Sequence, residues 1–281
     1  TGGIRVHFTK LHGLGNDFIL FDGRALPDYD WNAAALPLCD RRSGIGADGL
    51  LILLDSERAD MRMRIVNADG SEAEMCGNGV RCFAKYAFET GAHPKPHMRI
   101  ETLAGIIKPE VLTENGQVTG VRVDMGEPFL DCKDIPVEGE GRCIGRELTV
   151  LGKTLTVTSV LVGVPHTIVF VDTLGELDIA SVGPAIENAP MFPRRTNVDF
   201  VRVINDHHVE MRTWERGCGQ TLCCGTGASS VAVACALNHK TARGIDVAVE
   251  LGTLHIDWAD DNHVYMTGPA ETVFAGEVAL P

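Results

Sequence analysis

The sequence predicts an α+β chain of two pseudo-symmetric halves, each a curled, barrel-like sheet around a central helix. Three observations carry this reading. Short strand-like runs come in series, whereas a doubly wound parallel sheet would alternate single strands with helices. Each half holds one apolar, helix-compatible run directly after a glycine-rich turn, Val80 to Phe88 and Ala228 to Leu237. The turns also repeat: with Cys224-Gly-Thr-Gly227 laid on Cys76-Gly-Asn-Gly79, Met211-Arg212 falls on Met63-Arg64 and both glycine pairs coincide.

Composition narrows the class of function. A chain of 281 residues can bury two ordinary cores, and 44% hydrophobic against 22% charged residues describes a globular protein. Lys and Arg number 25 against 38 Asp and Glu, a net charge of -13, which argues against nucleic acid or an anionic membrane as partner. No apolar stretch approaches the roughly eighteen residues of a membrane span, and no basic-then-apolar leader opens the chain, so a cytoplasmic enzyme is expected. The nine cysteines are odd in number and irregularly spaced, as expected of reduced, mostly buried small hydrophobes.

In order along the chain, Ile4 to Lys10 alternates as a strand, and His12-Gly-Leu-Gly-Asn-Asp-Phe18 reads as a turn before the strand Ile19 to Phe21. Asn16 and Asp17 in that glycine loop can meet a ligand. Asp30 to Arg41 is helical, limited by Pro37. Gly44-Ile-Gly-Ala-Asp-Gly49 has dinucleotide-fingerprint spacing but leads into a strand, Leu50 to Leu54, so it is a turn. Met61 to Asn67 is a strand, and the helix after Cys76 closes at Gly91. Met98 to Thr102 and Ile106 to Leu112 are strands, and Asn115-Gly116 turns into Val118 to Met125. Gly126-Glu-Pro128 is a hinge.

In the second half, Glu147 to Leu151 and Thr154 to Val162 are strands. The Gly152-Lys-Thr between them lacks the leading glycine of a phosphate-binding loop. Pro165-His166-Thr167 interrupts the apolar runs before Ile168 to Val171, Asp178 to Asn188 is a helix, and Thr196 to Phe200 is a strand. His208 to Thr213 delivers Glu215 and Arg216 just before the second cysteine loop, whose helix ends near Asn238. Four strands finish the chain. Gly268-Pro-Ala270 resembles the first hinge, so the domains expected are 1–126 with 270–281, and 127–269.

The chemistry follows from the cysteines. Each precedes a helix N-terminus, where unpaired N–H groups and the helix dipole lower thiol pKa values and can hold a carboxylate. Two such sites facing one another would let one group remove a proton while the other supplies one. A thiol redox or metal-binding protein built on Cys218, Cys223 and Cys224 is the reading from another class. It lacks a C-x-x-C, and adjacent cysteines are poor joint ligands for one tetrahedral ion.

With these residues in view, the chain resembles the diaminopimelate epimerase family, cofactor-independent enzymes that invert one α-carbon of a diamino dicarboxylic acid. The resemblance spans nearly the whole chain. It rests on His12-Gly-Leu-Gly-Asn-Asp-Phe18, Gly44-Ile-Gly-Ala-Asp-Gly49, Asn67-Ala-Asp-Gly-Ser-Glu72, Cys76-Gly-Asn-Gly79, Pro165-His166, Asn197, Glu215-Arg-Gly217 and Cys224-Gly-Thr-Gly-Ala228.

It implies paired barrels around helices, with the site in the interdomain cleft, and conversion of L,L- to meso-diaminopimelate for lysine and peptidoglycan precursors. Cys76 and Cys224 would be the thiolate–thiol pair, with no cofactor and no metal, in a homodimer. Backbone donors at Gly77-Asn78 and Gly225-Thr226 would hold the reacting carboxylate. Asn16, Asn67, Asn197, Glu215 and Arg216 would bind the far end, and His166 is carried over as a substrate-binding residue. Three positions depart: Val164 where the family often has Asn, Gln220 where Glu is frequent, and Cys223 where Ala is usual. Val164 keeps open a related two-cysteine racemase of another amino acid, such as histidine.

Overall fold

The structure is a computed structural model and describes residues 3 to 281. In chain order its elements begin with β1 (Arg5–Gly13), β2 (Asn16–Asp22), α1 (Trp31–Cys39), β3 (Gly49–Leu54), β4 (Met61–Asn67), β5 (Glu72–Ala73) and α2 (Gly77–Thr90). There follow β6 (Ile100–Thr102), β7 (Gly105–Ile107), β8 (Glu110–Glu114), β9 (Gln117–Asp124), β10 (Arg146–Val150), β11 (Lys153–Val162), β12 (Val164–Phe170) and α3 (Ile179–Glu187). The last are β13 (Asn197–Asn205), β14 (His208–Glu215), β15 (Gly219–Thr221), α4 (Gly225–Leu237), β16 (Gly244–Val249), β17 (Gly252–Trp258), β18 (Val264–Gly268) and β19 (Glu271–Ala279). Among the described residues no helix is long and apolar enough to cross a membrane.

The chain forms two compact units, one running to Val123 and resuming at Gly268, the other Asp124–Thr267. In the first, the sheet order is β19-β1-β2-β3-β4-β6-β7, with β5 beside β4. Strand β3 is buried along its whole length because both faces are covered. Leu50, Ile52 and Leu54 join the cluster around Trp31 of α1, and Leu51 points the other way, to the start of α2. That alternation is the period-two geometry of a strand between two layers. The β8–β9 hairpin turns on Asn115 and Gly116, with φ of 51° and 79°.

The second unit repeats the plan in the order β10-β11-β12-β13-β14-β16-β17-β18, with β15 beside β14. Helix α4 is apolar and buried from Gly227 to Cys235, as a helix wrapped by a sheet must be. It packs against β11, β12, β13, β16 and β17. Val198 and Phe200 of β13 face the α3 side, and Asp199 between them faces α4.

One spacing relates the two units. Cys76 and Cys224 cap α2 and α4 at positions 148 apart (224 minus 76), and the same spacing carries Asp30, the cap of α1, onto Asp178, the cap of α3. It also carries the start of β2 at Asn16 onto Val164, and the start of β3 at Gly49 onto Asn197. The hairpin before β2 is the exception. Leu14 and Gly15, at φ of 51° and 86°, connect β1 to β2, whereas Gly163 alone connects β11 to β12.

The structure revises several sequence expectations. Neither sheet order returns on itself, so the sheets curl without closing as barrels. Strand β1 runs on through Gly13, which shrinks the predicted turn to Leu14-Gly15 and puts Asn16 at the head of a strand. Pro165-His166 lies inside β12 rather than interrupting it. Proline is tolerated there because pairing with β13 begins only at His166. Both cysteine helices start directly after their cysteine, at Gly77 and Gly225.

Candidate active site

Cys76 has φ -147° and ψ 118°, and its sulfur accepts the backbone N–H of Gly79 at 3.4 Å, the third residue of α2. Gly77 and Asn78, the first two helical residues, have N–H groups with no carbonyl partner inside the helix. Gly79 lies in close packing: a Cβ there would be 3.2 Å from Leu51 Cδ2 and 3.6 Å from Phe18 Cζ.

Around Cys76 the structure gathers Asn16, which the sequence reading assigned to the far end of the substrate, and Asn78. The Cys76 thiol donates to Asn16 Oδ1 at 3.4 Å, and Asn78 Nδ2 donates to the same oxygen at 3.1 Å. Behind them stands a charged network. Asn16 Nδ2 donates to Asp48 Oδ2 at 2.8 Å, and Arg41 donates to Asp48 Oδ1 at 3.0 Å and to both oxygens of Asp17 at 2.7 and 2.9 Å. Lys10 Nζ lies 3.1 Å from Asp17. Burial alone would raise the Asp17 pKa, but the hydrogen bonds and charges of Arg41 and Lys10 outweigh it and bring it down to about 2. Arg81, wholly buried, donates to Asn78 Oδ1 at 2.7 Å and to the Pro269 carbonyl at 3.0 Å.

Cys224 repeats the cap with φ -130° and ψ 112°, accepting the Gly227 N–H at 3.4 Å. Its other neighbours differ. Thr226 Oγ1 lies 3.3 Å from the sulfur and His166 Nε2 lies 4.0 Å away. His166 Nε2 is 2.9 Å from Thr226 Oγ1, and its Nδ1 is 2.6 Å from Asp199 Oδ2. Thr213 donates to Asp199 Oδ1 at 2.8 Å. Burial by itself would push the His166 pKa down; the charge and hydrogen bond of Asp199, with a smaller contribution from Cys224, push it well above the ordinary range instead.

Asn197, Glu215 and Arg216 form a second group in this unit. Asn197 Nδ2 donates to the Pro165 carbonyl at 2.9 Å, and its Oδ1 accepts the Arg216 N–H at 2.7 Å, so the side chain ties β12 to the Glu215–Arg216 segment. Thr221 donates to Glu215 Oε1 at 2.5 Å, and Arg216 Nη1 donates to the Arg194 carbonyl at 2.9 Å. In the first unit, Asn67 donates to Ser71 Oγ at 3.0 Å. Sequence reasoning passed over Asp48, Arg41, Asp199, Thr213 and Glu187. The available signal was Asp199, a charge inside the apolar run Val198 to Val201. Cys39, Cys82 and Cys235 are buried, and burial pushes their thiols up to about 11, 12 and 12, which marks them as inert.

Comparison with known proteins gives the family. A family model described as diaminopimelate epimerase matches residues 8–130 and 158–273. A diaminopimelate epimerase from Pelotomaculum thermopropionicum is 51% identical over 97% of this chain and 98% of its own. One from Moorella thermoacetica is 50% identical over 98% of this chain and all of its own (100%). Among solved structures, a PhzF-family phenazine biosynthesis protein from Bacillus anthracis shares the fold at a TM-score of 0.67 and 19% identity, covering 98% of this chain and 99% of that one. A probable proline racemase from Agrobacterium radiobacter does so at 0.67 and 17%, covering 98% and 93%. With two helix-capping cysteines in matching places and relatives this similar along their full length, the chain belongs to the diaminopimelate epimerase family and is an isomerase.

Proposed function

We propose that the chain epimerises L,L-diaminopimelate to the meso form by proton transfer at two cysteines, without a cofactor. The observation that carries this is the equivalence of Cys76 and Cys224, each the cap of a helix and each followed by two unpaired backbone N–H groups. One sulfur as thiolate takes the Cα proton, and the other as thiol delivers a proton to the opposite face. The product is the mirror configuration at that carbon, and the two sulfurs have exchanged protonation states. Charge developing on the substrate carboxylate is met by N–H donors at Gly77-Asn78 and Gly225-Thr226. Arg216 offers a guanidinium fork for the far carboxylate and Glu215 an acceptor for the far ammonium, with Asn16, Asn67 and Asn197 completing that end. The setting proposed is a cytoplasmic homodimer in lysine and peptidoglycan precursor biosynthesis.

The test is incubation of L,L-diaminopimelate with the reduced protein in heavy water, without added cofactor or metal. Deuterium enters at Cα and meso product forms, and Cys76→Ala and Cys224→Ala each remove most of the activity. Absence of exchange at high enzyme concentration, or exchange only with another amino acid such as histidine, overturns the reading.

A further inference from the structure

Beneath α3 the second unit holds a cavity of about 290 Å3, at the lower end of the size range of small-molecule sites. Phe200 of β13 lines it, whereas Asp199, the next residue on that strand, faces Gly227 of α4. The cavity therefore lies on the opposite face of the sheet from the Cys224 helix. Its walls are apolar, with Val169, Leu177 and Val182 around the ring of Phe200, and Leu151 stands 64% exposed at its edge.

The first unit shows what fills the equivalent space. The spacing of 148 that relates the caps Asp30 and Asp178 lays Phe21, Tyr29 and Trp31 on Val169, Leu177 and Ile179. The backbone there is the same in both units. Tyr29 N–H donates to the Leu26 carbonyl at 3.3 Å and Leu177 N–H to that of Leu174 at 3.4 Å; Trp31 donates to Tyr29 at 2.9 Å and Ile179 to Leu177 at 3.0 Å. In the first unit the three rings pack together, Trp31 lying 5.1 Å from Phe21 and 4.9 Å from Tyr29 between centroids. Three aliphatic side chains on the same backbone leave that volume empty, and only Phe200, where the first unit has Ile52, returns one ring.

The polar groups at the cavity select a charge. Asp178 is already engaged, since its carboxylate accepts the Ser181 N–H at 3.3 Å and the Ser181 hydroxyl at 2.7 Å at the start of α3. Lys153 also lines the cavity, and among the described residues it has no acidic partner. We infer that the cavity is a binding site for a small aromatic carboxylic acid, its ring against Phe200 and its carboxylate on Lys153, and that its occupant acts on the Glu215–Arg216 segment through α3.

Helix α3 supplies the connection. Ser181 and Val182 line the cavity, and the next residue, Gly183, is packed so tightly on Trp214 that a Cβ there would lie 2.6 Å from its Cγ. At the other end of the helix, Glu187 accepts Trp214 Nε1 at 2.8 Å and the Gly217 N–H at 3.3 Å. A molecule that displaces α3 moves the groups that hold both sides of Glu215–Arg216. Binding stands independently of the function proposed for the chain, whereas the effect on substrate rests on it.

The experiment is calorimetric titration of the whole protein with hydrocinnamate. One molecule per chain is expected, with Kd below about 1 mM, and none with propionate, which lacks the ring. Hydrocinnamyl alcohol should bind about threefold to fivefold more weakly than the acid, and Lys153→Met should weaken the acid by as much while leaving the alcohol unchanged. Leu177→Tyr restores a ring of the first unit and should abolish binding; if that variant does not fold, Lys153→Met with the two probes decides. Saturating hydrocinnamate should raise KM for diaminopimelate about fivefold at near-constant kcat, and should do nothing to Leu177→Tyr. No saturable binding below about 1 mM, equal binding of propionate, or binding that survives Leu177→Tyr overturns the site. A probe that binds and leaves KM unchanged overturns the coupling. The titrations use no substrate, so their failure is distinct from failure of the exchange assay.

Discussion

Phe18 and His166 occupy the same place in the two units: each is the first residue of its strand to pair with the parallel neighbour, Phe18 with Gly49 and His166 with Asn197. The equivalence extends to their companions. Leu51 and Asp199 both face the third residue of the cysteine helix, Gly79 and Gly227 respectively. Ile65 and Thr213 stand at matching positions of β4 and β14. All six are buried. One backbone plan therefore carries an apolar trio behind Cys76 and a hydrogen-bonded His–Asp–Thr trio behind Cys224.

That difference makes Gly227 the less replaceable of the two helix glycines. A Cβ at Gly227 would lie 2.8 Å from Asp199 Oδ1, which accepts from Thr213, and 3.2 Å from His166 Cε1, whose ring is held by the Nδ1–Asp199 Oδ2 hydrogen bond. At Gly79 the nearest atom is the flexible Leu51 Cδ2 at 3.2 Å. Gly227→Ala should lower kcat by about a hundredfold through misplacement of Cys224, and Gly79→Ala by clearly less. Steady-state kinetics and melting curves of both variants check this, and equal losses would contradict it.

Asp17 gives a stability effect with a definite sign. Its folded pKa, about 2, lies below the ordinary value of 3.8, so its contribution is fully present above about pH 4 and is lost as pH falls towards 2. The shift corresponds to about 2 kcal/mol for this largely buried carboxylate. Asp17→Asn should lose roughly that amount at pH 7 and flatten the acid limb, which urea unfolding between pH 7 and pH 3 would show.

The two-unit plan, both cysteines and most strands were legible because glycine turns and alternation are local signals. Cys76 and Cys224 stood out by their shared sequence context. Asp48, Arg41 and Asp199 did not, since their meaning lies in partners far along the chain: Asp199 lies 33 residues from His166, and Asp48 is 32 from Asn16. Asn197 adds a second case: it matched a substrate-binding pattern, and the backbone bonds at both ends of its amide are a structural tie that the pattern does not state. Chain continuation through Pro165 depended on which neighbour each strand pairs with, and no single strand's sequence states that.

Ser230 carries a buried hydroxyl without a hydrogen-bond partner, on the wholly buried stretch of α4. Its counterpart 148 positions earlier is Cys82, which needs no strong partner. An unmatched hydroxyl costs about 1–3 kcal/mol. Ser230→Ala should therefore raise the melting temperature without changing kcat, and a lower one measured by calorimetry would show that the hydroxyl is satisfied.

Glu187 closes α3 and receives three donors, Trp214 Nε1 at 2.8 Å, the Gly217 N–H at 3.3 Å and Arg195. It holds the chain on both sides of Glu215–Arg216. Glu187→Gln keeps the shape but turns an amide NH2 towards a donor, at a cost of about 1–3 kcal/mol. Because Arg216 would be loosened while the cysteines are not, KM for diaminopimelate should rise more than kcat falls. A larger loss in kcat would place the effect at the reacting carbon.

Val164 stands where the resemblance leads one to expect an asparagine, and its equivalent in the first unit is Asn16. It is 36% exposed at the head of β12, next to Gly163 at φ 76°, so an amide introduced there has room and no buried partner to disturb. An asparagine adds a donor and an acceptor where valine offers neither, and one hydrogen bond to a charged group contributes about 1.5–3 kcal/mol. If the far end of diaminopimelate binds beside β12, Val164→Asn should lower KM by roughly tenfold or more with little change in kcat. The same variant assayed against histidine should show no gain, because that substrate has no second zwitterionic end to meet the new amide. An unchanged KM for diaminopimelate would mean that Val164 stands outside the substrate's reach, and that the missing asparagine has no bearing on specificity.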